Sequence, residues 1–210
     1  MASTARENIL KKIQQALAQP VPVPFPASEG NQSVFQPSQQ ELEVEFAEKF
    51  SKLQGRFSFC ADEKELVNQL QALITARQWT KIYSRENEWQ RKLSAAGFTT
   101  VYADDVATCD AAITGCESLI ARTGSIVLSS AQQSGRTISV YTPVHICIAY
   151  AHQLVYDISD SLQQLREGYG KNFPSLVTLA TGPSRTADIE KTLVVGVHGP
   201  KEVFCFLVDS

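Results

Sequence analysis

The chain has 210 residues, which is long enough to bury a core in one domain with an appendage, without disulfides or metals for support. Hydrophobic residues make up 43% of it and charged residues 20%, a balance typical of globular rather than disordered proteins. Lysine and arginine number 19 against 22 acidic residues, and this formal charge of -3 argues against nucleic acid or a membrane surface as the partner.

The N-terminal segment has the pattern of a capped amphipathic helix. Thr4 and Glu7 have capping-box spacing, and apolar residues share one helical face at Ile9, Ile13, Ala16 and Leu17. Pro20 and the following VPVPFP predict that this helix ends and an extended connector begins. Because so short a helix is marginal in water, its apolar face needs either this chain's own core or another subunit. A homo-oligomer formed through this helix is one of these two alternatives.

A second helix is predicted between Ser38 and Gly55. Ser38 and Glu41 again have capping-box spacing, and Gly55 suits the end of a helix. The apolar stripe of this helix consists of Leu42, Phe46, Phe50 and Leu53. We group both helices and their Pro-rich connector as an N-terminal helical arm, residues 1–55.

From residue 56 onward, strand and helix patterns alternate. RFSFC, TKIYS and FTTVYA have strand patterns, and helical patterns over 62–77 and 86–96 separate them. This alternation predicts an α/β domain over residues 56–210, with a mostly parallel sheet and covering helices. A further helix is predicted over 159–169, and the later predicted strands are AAIT, GSIVLSS, TISVY, PVHICIAY, LVTLA and VFCFLV.

The pattern of the five cysteines indicates reduced core residues rather than a cofactor site. They are odd in number and form no C-x-x-C pair, and this spacing argues against an iron–sulfur cluster or structural zinc. Three of them lie in apolar runs, where cysteine behaves as a small hydrophobe: Cys60, Cys147 and Cys205. We expect no metal and no cofactor. Because no apolar run has membrane-spanning length and the N-terminus lacks a secretory signal pattern, we expect a cytoplasmic protein.

Polar residues gather in TGPSRTADIE, residues 181–190, directly after an apolar strand pattern. A strand, a glycine turn and a helix start would supply free backbone N–H groups and a positive dipole end. The guanidinium of Arg185 suits a carboxylate or a phosphate. This pattern predicts an anion site formed by Ser184, Arg185 and Thr186, with His198 arriving from the following GVHGP loop.

The same residues also have a purely structural interpretation. Arg185 could pair with Asp188 or Glu190 and fasten the turn, while Gly196 and Gly199 allow a tight bend before the last strand. The stretch is neither a Walker loop nor a dinucleotide fingerprint, because it lacks the glycine spacing of both.

Two other segments carry polar candidates. In ITGCESLIARTGSIVLSS, residues 113–130, the candidates Glu117, Arg122 and Thr123 could equally be a surface ion pair on a glycine-permitted backbone. His145, inside an apolar strand pattern, could be a hydrogen-bonded core residue or a proton acceptor. His152, just past that strand, is assigned to solvent. The sequence has no H-E-x-x-H motif and no G-x-S-x-G elbow.

Four of these stretches together resemble a known family. GCESLIARTGSIVL, PVHICI, TGPSRTADIE and GVHGP, in this order, resemble the signature of the lactate utilisation protein C-like (LUD domain) family. The resemblance covers roughly residues 56–210 and is strongest from 113 onward. It implies a fold similar to the sugar-phosphate isomerase and CoA-transferase-like α/β fold.

The resemblance also implies a role in bacterial oxidation of L-lactate to pyruvate. In that system the protein acts with two iron–sulfur partner proteins of the same operon, and this chain resembles the member without clusters. It would bind these partners, a small anionic metabolite, or both. Arg185 would hold the carboxylate of the metabolite, and His198 or His145 would act in catalysis as the proton acceptor from a hydroxyl.

The family motif supplies the remaining candidate site residues by position. The ligand-binding set is Thr123, Gly124, Gly182, Ser184, Arg185, Thr186, Asp188 and Gly199. Many relatives have an acid where this chain has Arg122, so its preference for substrate or partner could differ from theirs.

Two alternatives to the lactate role stay open. The chain could be a stand-alone enzyme or binder acting on a phosphorylated or CoA-type metabolite, as the fold analogy suggests. It could instead be an interaction or regulatory module whose N-terminal helix is the docking element.

Overall fold

The structure is a computed structural model that describes residues 5–18, 38, 40–100, 102–186 and 194–209. It separates into two compact units, Met1–Pro37 and Ser38–Ser210. The first unit contains the predicted amphipathic helix, α1 (Ala5–Leu17), whose apolar side chains Ile9, Leu10 and Ile13 are exposed. The predicted cap Thr4 and the Pro-rich connector lie outside the described residues.

Helix α2 (Leu42–Lys52) packs within the second unit, although the sequence analysis grouped it with the arm. Phe46 and Phe50 are fully buried in a core cluster of that unit, so α2 belongs to the second unit. The predicted capping box is wrong, because Ser38 Oγ donates to the carbonyl of Gln40. Glu41 occupies the N-cap position and makes no capping hydrogen bond with its side chain.

A central sheet of five parallel strands confirms the predicted α/β class. The strands are β1 (Arg56–Cys60), β2 (Ile82–Tyr83), β3 (Ala111–Thr114), β6 (Val144–Tyr150) and β11 (Glu202–Val208), in the spatial order β1-β11-β6-β3-β2. Helices α3 (Glu63–Arg77) and α4 (Asn87–Ala95) bury their apolar stripes against one face of this sheet. Asp62 begins α3, since its side chain accepts from the N–H of Glu65.

A second sheet belongs to the layer on the other face, together with α2. Its strands are β4 (Ser118–Ile120), β5 (Ser125–Ser129), β7 (Leu154–Val155) and β8 (Val177–Ala180), in the order β7-β4-β5-β8. Helix α6 (Ile158–Tyr169) covers this sheet, and Asp157 caps it by accepting from Ser159 N–H. A short antiparallel pair, β9 (Arg185–Thr186) and β10 (Val194–Val195), completes the described strands.

Two predicted strands differ in the structure. TISVY contains a four-residue helix, α5 (Ile138–Tyr141), in which Ile138 is buried and Tyr141 is 69% exposed. Among the described residues of FTTVYA, Tyr102 forms an isolated bridge with Ile82, and no regular strand is present. In both stretches β-branched residues raise strand propensity, and tertiary packing overrides that propensity.

All five cysteines are buried and free of disulfides, as predicted for the three in apolar runs. Burial raises the pKa of the Cys60 thiol to about 12, so this thiol stays protonated at physiological pH.

Candidate functional site

A cleft of about 1500 Å³ lies at the carboxyl ends of β2, β3 and β6. Its walls come from the length of α4, the loop after β3, residues 131–133 and the segment after β6. Parallel α/β sheets bind ligands at this end, because the loops that leave the strands converge there. The cleft is therefore the first candidate for a ligand site.

Glu86 is the most unusual group in this cleft. It stands at the N-cap position of α4, is 8% exposed, and its Oε2 accepts from the N–H of Gly115 at 2.8 Å. Its Oε1 is buried and has no hydrogen-bond partner among the described residues. A buried acceptor left unpaired costs about 1–3 kcal/mol. A ligand that donates to this oxygen would remove that cost.

Gly115 allows the close approach that fixes this carboxylate. A Cβ at residue 115 would lie 2.5 Å from Trp89 Nε1 and 3.1 Å from Glu86 Oε2. Any side chain here would push the backbone N–H away from Glu86. The cleft therefore requires a glycine directly after β3.

Three stacked rings form one wall of the cleft. The centroids of Trp89 and Tyr150 are 5.5 Å apart with their planes at 20°, and those of Tyr150 and His152 are 5.6 Å apart at 14°. The ammonium of Lys92 lies 4.9 Å from the Tyr150 ring centroid and 5.3 Å from that of Trp89. The hydrogen bond with Glu88, at 2.9 Å, raises the pKa of Lys92, so its charge is retained.

The two C-terminal motifs lie together at a different place. The N–H of Ser184 donates to the carbonyl of Pro200 at 3.0 Å, and a Cβ on Gly199 would lie 2.7 Å from Ser184 Cβ. His198 and Gly199 line a second cleft of about 510 Å³ with Lys201. This cleft lies at the amino ends of β6 and β11, since Pro143 and Lys201 form its floor just before these strands.

Several predicted ligand residues contact the C-terminal end of α2. Arg185, which is exposed, donates from Nη2 to the carbonyl of Leu53, the C-cap of α2. Gly182 has φ +83°, and a Cβ there would lie 2.5 Å from the same carbonyl. Gly124 has φ +62°, and a Cβ there would lie 2.6 Å from the backbone nitrogen of Phe50. These motif positions therefore hold α2 against the domain.

The remaining predicted residues are spread over other parts of the chain. Thr123 Oγ1 shares a hydrogen bond of 2.7 Å with Ser125 Oγ, and Thr186 pairs with Val194 in the short β9–β10 ladder. Asp188 lies outside the described residues. Arg122 pairs with Asp157, the cap of α6, which matches the structural interpretation of that position.

His145 is enclosed in the central sheet. It is 0% exposed, its Nε2 lies 2.8 Å from Thr114 Oγ1, and its Nδ1 has no partner among the described residues. Burial lowers its pKa to about 4, so the ring is neutral at physiological pH. It lines neither of the two clefts described above, whereas His198 lines the second.

The buried imidazole predicts a pH-dependent stability. Its pKa is about 4 when folded and 6.5 in the ordinary case, so the unfolded chain binds more protons between these values. The contribution is complete above about pH 6.5 and falls with pH, by about 2 kcal/mol between pH 7 and pH 5. Urea unfolding at both pH values measures this loss. The His145→Gln variant should lack this loss, and a His152→Gln variant should keep it. An equal change in the free energy of unfolding between the two pH values in all three proteins would contradict its assignment to His145.

The comparison with protein families decides the classification. The model of the LUD domain matches residues 44–208. The chain belongs to the LUD domain family. The matched range includes all but the first two residues of α2, in agreement with the packing of that helix in the second unit.

Relatives of this LUD domain carry a name that indicates a pathway. Proteins named lactate utilization protein C are 36% identical to it over 100 residues in Macrococcus caseolyticus, covering 47% of this chain and 43% of that protein. The protein of that name from Anoxybacillus flavithermus is 29% identical over 195 residues, covering 85% of this chain and 86% of that protein. In several relatives the matched segment thus spans less than half of the protein.

The fold is also found among solved structures. The crystal structure of a DUF162 family protein from Deinococcus radiodurans superposes with a TM-score of 0.60 and 19% identity, covering 82% of this chain and 99% of that chain. This likeness supports the α/β fold and nothing further about function.

The carboxyl-end cleft of this LUD domain was not predicted from the sequence. Glu86 follows the predicted strand TKIYS and begins the predicted helix 86–96, and a polar residue at that junction is a signal that could have been used. His152 was assigned to solvent; it is exposed, but it also lines the cleft. Trp89 and Tyr150 lie in apolar sequence patterns, and such a pattern fits a residue in the wall of a cleft as well as a residue in the core.

Two kinds of feature, a group of metal ligands and a membrane-spanning helix, are absent from the described part of the chain. There, no three His, Cys, Asp or Glu side chains are grouped for a metal ion. None of the helices described has the length and apolarity needed to cross a membrane.

Proposed function

We propose that this protein serves bacterial lactate utilisation as the subunit without iron–sulfur clusters, and that its carboxyl-end cleft binds a small anionic metabolite. The family and the names of the relatives support the pathway. The observation that carries the site is the carboxylate of Glu86, a residue that lines the cleft and whose buried Oε1 has no hydrogen-bond partner among the described residues.

A 2-hydroxy acid such as lactate complements this arrangement. Its hydroxyl would donate to Glu86 Oε1, which makes Glu86 the candidate proton acceptor. Its carboxylate would accept from the guanidinium of Arg91 or from the side-chain amides of Gln132 and Gln133. The carbonyl oxygens of both glutamines already accept from backbone N–H groups, of Ser129 and Asn87, so the amide nitrogens are turned to donate elsewhere.

The proposed partners are the iron–sulfur proteins of the lactate system. Oxidation of lactate to pyruvate releases two protons and two electrons; Glu86 and water would take the protons, and the clusters of a partner would take the electrons. A partner docked at the open rim of the cleft would receive them at a short distance. The exposed apolar side chains of α1 are a proposed second contact for such a partner or for another copy of the chain.

The size of the cleft keeps one alternative open. A volume of about 1500 Å³ exceeds what a three-carbon acid fills, and typical ligand sites measure about 300–1,000 Å³. A phosphorylated or CoA-type metabolite would occupy more of this space. Ligand-induced stabilisation with sugar phosphates and acyl-CoA compounds, compared with L-lactate and pyruvate, distinguishes the two.

Glu86→Gln tests the proposed site. The amide oxygen can still accept from Gly115 N–H, so the fold should persist, but an NH₂ group would then face the cleft instead of an acceptor. We expect the Kd for L-lactate, measured by calorimetry, to rise about 10-fold or more. The variant should also fail to restore growth on lactate in a strain that lacks this chain.

Two further variants make the result specific. Glu167→Gln, on the surface of α6, should bind L-lactate like the wild type. Arg185→Gln examines the site proposed from the C-terminal motifs. If Arg185→Gln abolishes binding while Glu86→Gln binds normally, the metabolite belongs at the motifs and the assignment to the cleft fails.

A further inference from the structure

We propose that the carboxyl-end cleft also holds a nucleotide, whose planar ring stacks on the wall formed by Trp89, Tyr150 and His152. This inference rests on the proposed function only in using the same cleft beside Glu86. It departs from the sequence-based expectation that the chain takes no cofactor.

The geometry of the wall is the first argument. Successive planes deviate by only 20° and 14°, so the three rings form one continuous stack rather than the edge-to-face packing common in cores. Trp89 is buried and Tyr150 is half-buried, whereas His152, which stacks on Tyr150, is exposed on the cleft. A planar heteroaromatic ring of a ligand would extend this stack by one member.

The middle ring of the wall, Tyr150, is fixed in place before any ligand arrives. Tyr150 donates from its hydroxyl to Glu63 at 2.6 Å and accepts from Lys92 at 3.2 Å. Gln153 accepts from the backbone N–H of Tyr150 at 2.9 Å and donates to the carbonyl of Cys116 at 2.7 Å. A stacking surface held by these bonds loses little conformational freedom on binding, which favours affinity.

The rest of the cleft suits the polar parts of a nucleotide. The ammonium of Lys92 lies beside the stack but is paired with Glu88 at 2.9 Å, so Arg91, which lines the same cleft, is the cation best placed to bind a phosphate. The amides of Gln132 and Gln133 can bond the edge of a ring. A volume of about 1500 Å³ accommodates a nucleotide together with a three-carbon acid at Glu86.

Equilibrium dialysis with three nucleotides tests this inference. The probes are flavin mononucleotide, NAD⁺ and AMP, with ribose 5-phosphate as the matched ligand that has no aromatic base. We expect at least one nucleotide to bind and ribose 5-phosphate to bind weakly or not at all. His152→Ala should raise the Kd of that nucleotide by about fivefold or more, and His152→Phe, which keeps a stacking ring, should restore it.

The controls separate this inference from the proposed function. Tyr141→Ala removes an exposed aromatic ring at the second cleft and should leave nucleotide binding unchanged. L-lactate binding is measured in the same His152→Ala protein without nucleotide, and its retention shows that the metabolite site stands independently. No binding by any of the three nucleotides, or equal binding by wild type and His152→Ala, would overturn the inference.

Discussion

Gly124→Ala is expected to lower the free energy of unfolding by about 2–5 kcal/mol. The residue has φ +62°, a left-handed conformation that costs a side chain about 1–2 kcal/mol. A Cβ would also lie 2.6 Å from Phe50 N and 2.8 Å from the carbonyl carbon of Lys49. Both are backbone atoms of α2, so the helix itself must move. Urea unfolding monitored by tryptophan fluorescence measures the loss.

Gly135→Ala is the matched control for this substitution. Gly135 has nearly the same φ, +65°, but no heavy atom lies within 4 Å of the position of its Cβ. Its replacement should cost only the conformational part, about 1–2 kcal/mol. The excess destabilisation of Gly124→Ala then measures the cost of the contact between the added Cβ and the backbone of α2. If the two variants lose equal stability, Gly124 serves only the turn.

Phe50→Ala is expected to destabilise the protein by about 3–5 kcal/mol. The ring is 0% exposed and stacks on Phe46 with centroids 5.4 Å apart. Its removal would leave a cavity where α2 meets the two sheets. Because Phe50 belongs to the second unit, this loss should appear in the main unfolding transition.

Phe59→Ala is the corresponding control, because Phe59 is 45% exposed on the edge strand β1. It should cost about 1 kcal/mol or less. A small loss for Phe50→Ala, similar to that of Phe59→Ala, would mean that α2 is peripheral, as its grouping with the N-terminal arm implied.

Local sequence patterns were sufficient to predict most of the strands and helices of the α/β domain. The strands VHICIAY and VFCFLV are buried on both faces, and a continuous apolar run is what such a central strand requires. The assignment of α2 failed for a non-local reason. Nothing within residues 38–55 says which surface its apolar stripe meets, and the partners at Gly124 and Gly182 lie 70 and more residues further along the chain.

The candidate site was harder to predict than the fold. TGPSRT and GVHGP were correctly expected to lie near each other, but a motif does not reveal whether it binds a ligand or seats a helix. Arg185 contacts a helix carbonyl, and His145 is enclosed by neighbouring strands. The cleft joins Glu86, Gly115 and Tyr150, which are separated by 29 and 35 residues, and only the order β6-β3-β2 brings them together.

A crystal structure of the protein with L-lactate or pyruvate bound tests the central claim most directly. We predict that the metabolite lies in the carboxyl-end cleft, and that the hydroxyl of L-lactate lies within hydrogen-bond distance of Glu86 Oε1. A metabolite found instead at Arg185 and Ser184, or in the second cleft beside His198, would contradict the claim and return the site to the C-terminal motifs.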